Sequence, residues 1–171
     1  LSYGIPCEYV KKREDVKAIV LGADPSNFSN SGETVKIRTV FDIRGNDARY
    51  FRSISANIHA VGLNLDNIYV QNLVRNFMIE ETSNNKLWQK FAEVWKPLLK
   101  QDLDTLNAQR NFPVFVTAEC ILNTLLNPDV KRINAKDYFE KCVVIEPEQN
   151  YLNRTLIPCF RRHYPYSNYP K

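Results

Sequence analysis

Three segments of the 171-residue chain carry residue types able to do chemistry. The first is Gly22-Ala23-Asp24-Pro25-Ser26-Asn27. A glycine lets the backbone turn sharply, an acid follows, and a proline stiffens what comes next. The exposed amides of such a turn can cradle an anion, though it lacks the glycine richness of a phosphate loop. A strand-ending turn closed by an Asx hydrogen bond is the competing role. The second is Asn72, a polar residue within the otherwise apolar run Ile68 to Val74. Asparagine is unfavourable there unless its amide has a partner, so it either makes a structural hydrogen bond or reads a ligand. The third is His163, set in Arg161-Arg-His-Tyr-Pro-Tyr-Ser167, a composition that also suits an exposed surface.

Pattern predicts the elements that position them. Lys17 to Leu21 is a β-branched run ending at Gly22 and reads as a buried strand. Val35 to Ile43 alternates and reads as an extended segment or hairpin, and Ile68 to Val74 as a second strand. Apolar residues from Asn46 to Val61 recur at helical spacing, with Gly62 as the stop. Leu87, Trp88, Phe91, Val94, Trp95, Leu98 and Leu99 mark an amphipathic helix, bent or restarted near Pro97. An aromatic stripe of this kind resembles a base-stacking platform, but its spacing favours a face packed on a sheet. Pro113 to Val116 reads as a third strand, Ala118 to Leu126 as a helix and Cys142 to Ile145 as a fourth strand, with Thr155 to Phe160 a further extended piece. Strands alternating with helices predict a single α/β domain over residues 1–171. The expected form is a three-layer α/β/α sandwich around a mainly parallel, roughly four-stranded sheet. Ligands gather at the carboxyl ends of such strands, which is where the three segments fall.

Composition narrows the functional classes. Hydrophobic residues make up 44% and charged residues 25%, a globular balance. The net charge is +4, and it is confined: no acid follows Glu148, whereas Arg154, Arg161, Arg162 and Lys171 do. A surplus held at one end suits either a solvated tail or a local anionic partner such as a phosphate backbone. No run approaches the ~20 apolar residues of a membrane span, and charges at Lys11 to Asp15 exclude a secretory signal. Four cysteines without a C-x-x-C pair read as buried free thiols in a reducing cytoplasm. Two histidines without clustered ligands predict no metal site.

In order along the chain, the three segments resemble the uracil-DNA glycosylase superfamily. Gly22-Ala23-Asp24-Pro25 is similar to its first motif, commonly Gly-Gln-Asp-Pro-Tyr-His. Leu65 to Val74 is similar to the strand carrying its base-reading asparagine, and His163-Tyr-Pro-Tyr-Ser167 to its late His-Pro-Ser motif. Trp88 to Ala92 and Val114 to Leu126 resemble the intervening elements, so the resemblance spans Val16 to Ser167. It implies a glycosylase hydrolysing the N-glycosidic bond of uracil, or of a related base, flipped out of DNA for base excision repair. Asp24 would orient water and stabilise the sugar cation, and His163 would hold the leaving base. Asn72 would read the base and Phe41 would stack on it, with core packing an equal alternative for Phe41. Gly22, Ala23 and Ser26 would line the pocket, and Arg161, Arg162 and Ser167 would meet the DNA backbone. The resemblance implies a monomer that needs no cofactor or metal.

The chain also departs from the family pattern. Ser26 stands where many members carry a tyrosine that excludes thymine, and Asn27 replaces the following histidine. Tyr164 interrupts the late motif, and the short tail leaves Tyr166 and Tyr169 as candidate wedges into the duplex. The cysteines lack the positions of the superfamily's iron–sulfur pattern. Two alternatives therefore accompany the enzyme reading. One is a catalytically impaired glycosylase fold that binds nucleic acid or a small nucleotide-like ligand; the other is a flavodoxin-like module whose Gly22 loop holds a phosphate.

Overall fold

Two adjacent parallel strands organise the structure, a computed structural model that describes residues 5–25, 38–43, 49–78, 82 and 85–159. Strand β2 (Ala18–Gly22) lies between β3 (Ile68–Asn72) and β4 (Val114–Val116), parallel to both. A short β1 (Tyr9–Val10) joins the free edge of β3 in the antiparallel sense, and β5 (Leu156–Pro158) pairs parallel with β4. The order across the five-stranded sheet is β1-β3-β2-β4-β5. Every residue of β2, β3 and β4 is buried, as expected of parallel strands covered on both faces.

The side-chain alternation of the strands sorts the interior into two clusters. Ala18, Val20, Ile68, Val70 and Phe115 join Phe51, Ile54 and Ile58 of helix α1 (Arg49–Ala60). Ile19, Leu21, Tyr69, Val114 and Val116 join Trp88, Ala92, Leu99 and Leu103 of α2 (Trp88–Leu106), and Ile121, Leu122 and Leu125 of α3 (Glu119–Leu125). A short α4 (Ala135–Glu140) adds Tyr138 to the second cluster. Helix α1 ends where predicted: Gly62 takes a positive φ of 77°, and the amides of Gly62 and Leu63 bond back to His59 and Ile58.

The mainly parallel α/β expectation holds at this level, with several differences in detail. Cys142 to Ile145 is not a strand. Cys142 sits at φ 46°, which breaks extension, and Ile145 makes only an isolated antiparallel bridge to Leu156. The fourth parallel place is taken by Leu156–Pro158 instead, and Tyr9–Val10 adds an edge strand that the pattern does not announce. Within Val35 to Ile43, the described residues form a single bridge at Thr39 and a 3-10 turn over Val40–Asp42, not a hairpin. Helix α2 runs unbroken through Pro97 to Leu106, with Pro97 exposed so that its missing N–H falls on the solvent side. Its apolar positions also divide. Trp88 and Leu99 are buried as expected, whereas Leu87, Phe91, Val94 and Leu98 are exposed. The four cysteines are free, but only Cys159 is buried and Cys7 is exposed. Among the described residues, no helix is long and apolar enough to cross a membrane.

The far end of α2 explains one charge of the basic tail. Arg154 is wholly buried, and its Nη2 donates to the carbonyls of Leu103 and Asn107, each at 2.8 Å. The same nitrogen meets Asp104 Oδ1 at 3.2 Å. These are last-turn groups that lack partners inside a helix, so Arg154 caps α2 and is unavailable to an external anion. Asp104 also accepts from Lys100 and Arg110. Burial acts to raise its carboxyl, but those hydrogen bonds outweigh burial and hold it below the ordinary 3.8.

Two outcomes follow for stability. Arg154→Met keeps bulk but strands two carbonyls and an acid, and is expected to cost roughly 2–4 kcal/mol in chemical denaturation. Arg154→Lys, with a single ammonium, should not restore the loss. Because the Asp104 pKa is depressed on folding, its contribution is present above the unfolded value and vanishes as pH falls through the folded one. Stability should therefore decline below pH ~4, and Asp104→Asn should flatten that decline in acid titrations followed by circular dichroism.

Candidate functional site

The parallel register of β2 and β3 aligns Gly22 with Asn72, so both strands end at one point of the sheet edge. Leu73 and Val74 continue beside the Gly22 loop, donating to Gly22 O at 2.8 Å and Ala23 O at 2.9 Å. Asn72 is 3% exposed, and its backbone N–H bonds to the Gln71 side chain at 2.9 Å. Its own amide turns toward Gly22. A β-carbon placed on Gly22 would lie 2.2 Å from Asn72 Oδ1 and 2.7 Å from Phe41 Cζ. Both distances are far inside contact, so glycine is required here by close approach rather than by turn geometry. Three sequence-predicted residues, Gly22, Asn72 and Phe41, thus converge.

Phe41 reaches that position through an unusual backbone. It has φ 55° and ψ 15°, and Asp42 follows at φ 52°. Two successive non-glycine residues in the left-handed region cost on the order of 1–3 kcal/mol each and persist only where surroundings impose them. Here Thr39, Val40 and Cys7 supply the restraint: Val40 N donates to Cys7 O at 3.0 Å, and Asp42 N to Thr39 O at 2.9 Å. The ring leans on Phe51 of α1, centroids 5.6 Å apart and planes tilted by 42°. Phe41 is therefore half packed into the α1 cluster and half presented to Gly22 and Asn72.

Asp24 stands one residue beyond Ala23 and is half-buried. Its Oδ2 accepts from the indole Nε1–H of Trp88 at 2.9 Å and from the hydroxyl of Thr82. Two neutral donors on one carboxylate oxygen fix its direction. Trp88 is itself held by the start of α2, where the Asn85 carbonyl accepts from Trp88 N and the Asn85 side chain from Leu87 N. Neither Thr82 nor Trp88 is marked as a site residue by sequence. Trp88 reads as core, which it is, but a buried indole also needs an acceptor, and that need was the available signal. Thr82 carried none.

Ser26, His163, Arg161, Arg162 and Ser167 lie outside the described residues. Topology still says where the last four attach: β5 ends at Pro158, parallel to and two strands from β2, at the same edge of the sheet. Among the described residues, no group of three or more His, Cys, Asp or Glu side chains could hold a metal ion. A shallow hollow of about 500 Å³ lined by Pro97, Lys100, Gln101, Asp104 and Thr105 belongs to the distal half of α2, away from Asp24. Compared with known proteins, the chain matches no family model and no curated protein.

The crowding at Gly22 makes a direct prediction. Gly22→Ala should leave the fold intact, destabilise it by about 1–3 kcal/mol, and move the Asn72 side-chain amide and Phe41 ring resonances. Unmoved resonances with unchanged stability would mean that the three groups are not in contact.

Proposed function

We propose that the chain is an N-glycosylase of the uracil-DNA glycosylase type, acting on uracil or a related base flipped out of DNA. The sheet with its two buried clusters is then the three-layer α/β/α sandwich of that superfamily. One observation carries the reading: Asn72, Phe41 and the cramped Gly22 meet at the carboxyl edge of β2 and β3, one residue from an oriented Asp24. An amide, a flat aromatic face and a directed carboxylate are what recognition and release of a planar base require.

In this reading the Asn72 carbonyl accepts from uracil N3–H and its amide donates to O4. Cytosine presents the opposite pattern, and the unmatched buried polar groups reject it. Phe41 supplies the stacking face, held in place by its backbone turn. Asp24, aimed by Trp88 and Thr82, positions a water at the anomeric carbon. As the bond to the base breaks, its electron pair leaves with the base, and the water oxygen bonds the sugar carbon and gives up its proton. The carboxylate stabilises the cationic sugar meanwhile. His163 supports the departing anion at O2, and Arg161, Arg162 and Ser167 engage the flanking phosphates. Preorganised donors of this kind are typically worth ~3–4 kcal/mol each. Ser26, smaller than the tyrosine it replaces, admits bases with a 5-substituent.

The test is base release from single- and double-stranded oligonucleotides carrying uracil opposite adenine or guanine. Asp24→Asn retains an acceptor for Trp88 and should fold normally, yet slow release by roughly 10²–10⁴-fold. Asn72→Ala should abolish the preference for uracil over cytosine. No release by excess wild-type protein over long incubation would sink the enzyme reading. Salt-sensitive binding without release would instead support the impaired, binding-only fold.

A further inference from the structure

Helix α2 carries an apolar stripe that its own fold leaves open. Leu87, just ahead of the helix, is 53% exposed, Phe91 38%, Val94 67% and Leu98 45%. Their spacing of four, three and four residues sets them on one line about 16 Å long. That line lies roughly a third of a turn from the buried face of Trp88, Ala92, Leu99 and Leu103. The described neighbours of α2 occupy its other flank. Gln89 accepts from Thr124 of α3 at 3.1 Å, and the Lys96 ammonium lies 4.9 Å from the Tyr151 ring centre. The stripe points the opposite way. It is a contiguous apolar surface on the order of 400 Å², the size at which a patch is usually functional.

We propose that this stripe is the interface of a symmetric dimer in which two copies of α2 pack antiparallel. A two-fold axis between Ala92 and Glu93 sets Leu87 against the partner's Leu98 and Phe91 against the partner's Val94. All four layers are then apolar, with the largest side chain facing the smallest. A neighbouring pair of charges fits the same operator. Lys90, exposed and outside the ion pairs among the described residues, comes within two residues of alignment with the partner's Glu93, and the reverse contact follows by symmetry. Two stripes remove about 800 Å² of apolar surface from water. With their rims they approach the 1,200–2,000 Å² of a specific interface, which suits a weak, concentration-dependent dimer. Val94 and Leu98, with no charge between them, suit an apolar partner better than a phosphate backbone. Because Trp88 ties the first turn of α2 to Asp24, the partner's Leu98 would border the approach to that carboxylate.

The proposal is independent of the glycosylase reading, and sedimentation velocity of the full chain from micromolar to several hundred micromolar tests it. A monomer–dimer equilibrium is expected. Val94→Glu, at an exposed site that leaves helix content unchanged, should weaken association at least ~10-fold by burying an unpaired charge twice. Lys90→Glu should weaken it less, and adding Glu93→Lys should restore it. A chain that stays monomeric throughout, or a dimer indifferent to Val94→Glu, would overturn the proposal. So would a Val94→Glu variant that loses oligonucleotide binding while self-association is unchanged, since the stripe would then face nucleic acid.

Discussion

The missing β-carbon at residue 22 is the constraint on which the candidate site depends. Parallel pairing carries Gly22 and Asn72 to the same point of the sheet edge, and only a hydrogen at that Cα leaves room for the Asn72 carbonyl and the tip of Phe41. The crowding runs outward. Phe41 can arrive only through consecutive left-handed residues, and that turn is tied to Cys7 on the segment leading into β1. An edge strand of two residues thus restrains a ring at the site. The polar amide of Asn72, costly in an apolar strand, is tolerated because the position is the last of β3, where the interior gives way to the loop edge.

Helix α2 connects this edge with the rest of the molecule. Its first residue orients Asp24 through the Trp88 indole, and its last turn is closed by Arg154 from the segment before β5. The helix is therefore anchored at both ends by polar contacts and along its length by four buried residues, a rigid strut under a carboxylate that must hold its direction. The Arg154 cap also changes what the basic tail means. Of the four cations after Glu148, one is consumed internally, leaving Arg161, Arg162 and Lys171 to account for any attraction to phosphate.

Much of the fold was legible in sequence because β2, β3 and β4 are buried on both faces and so read as continuous apolar runs. The helix stop at Gly62 was equally plain, since only glycine accepts that φ cheaply. What escaped detection was set by tertiary contacts. Tyr9–Val10 is too short to carry a period and becomes a strand only because β3 offers an edge. Cys142 to Val144 has strand composition, yet a left-handed residue and the competing Leu156–Pro158 deny it a place in the sheet. Helical periodicity placed Leu87, Phe91, Val94 and Leu98 on apolar positions but could not say that nothing in the described fold covers them. At the site, residue type and order picked out Gly22, Asp24 and Asn72, while the donors that aim Asp24 come from elements more than fifty residues away, where no local pattern could reveal them.

Free uracil titrated into isotopically labelled protein, followed by nuclear magnetic resonance, tests most directly that these groups form one base-binding site. The Asn72 side-chain amide and the Trp88 indole N–H should shift together along a single saturation curve, and cytosine should leave both unmoved. Shifts confined to other residues, no response at millimolar uracil, or an equal response to cytosine would contradict a base-reading pocket at the carboxyl edge of β2 and β3.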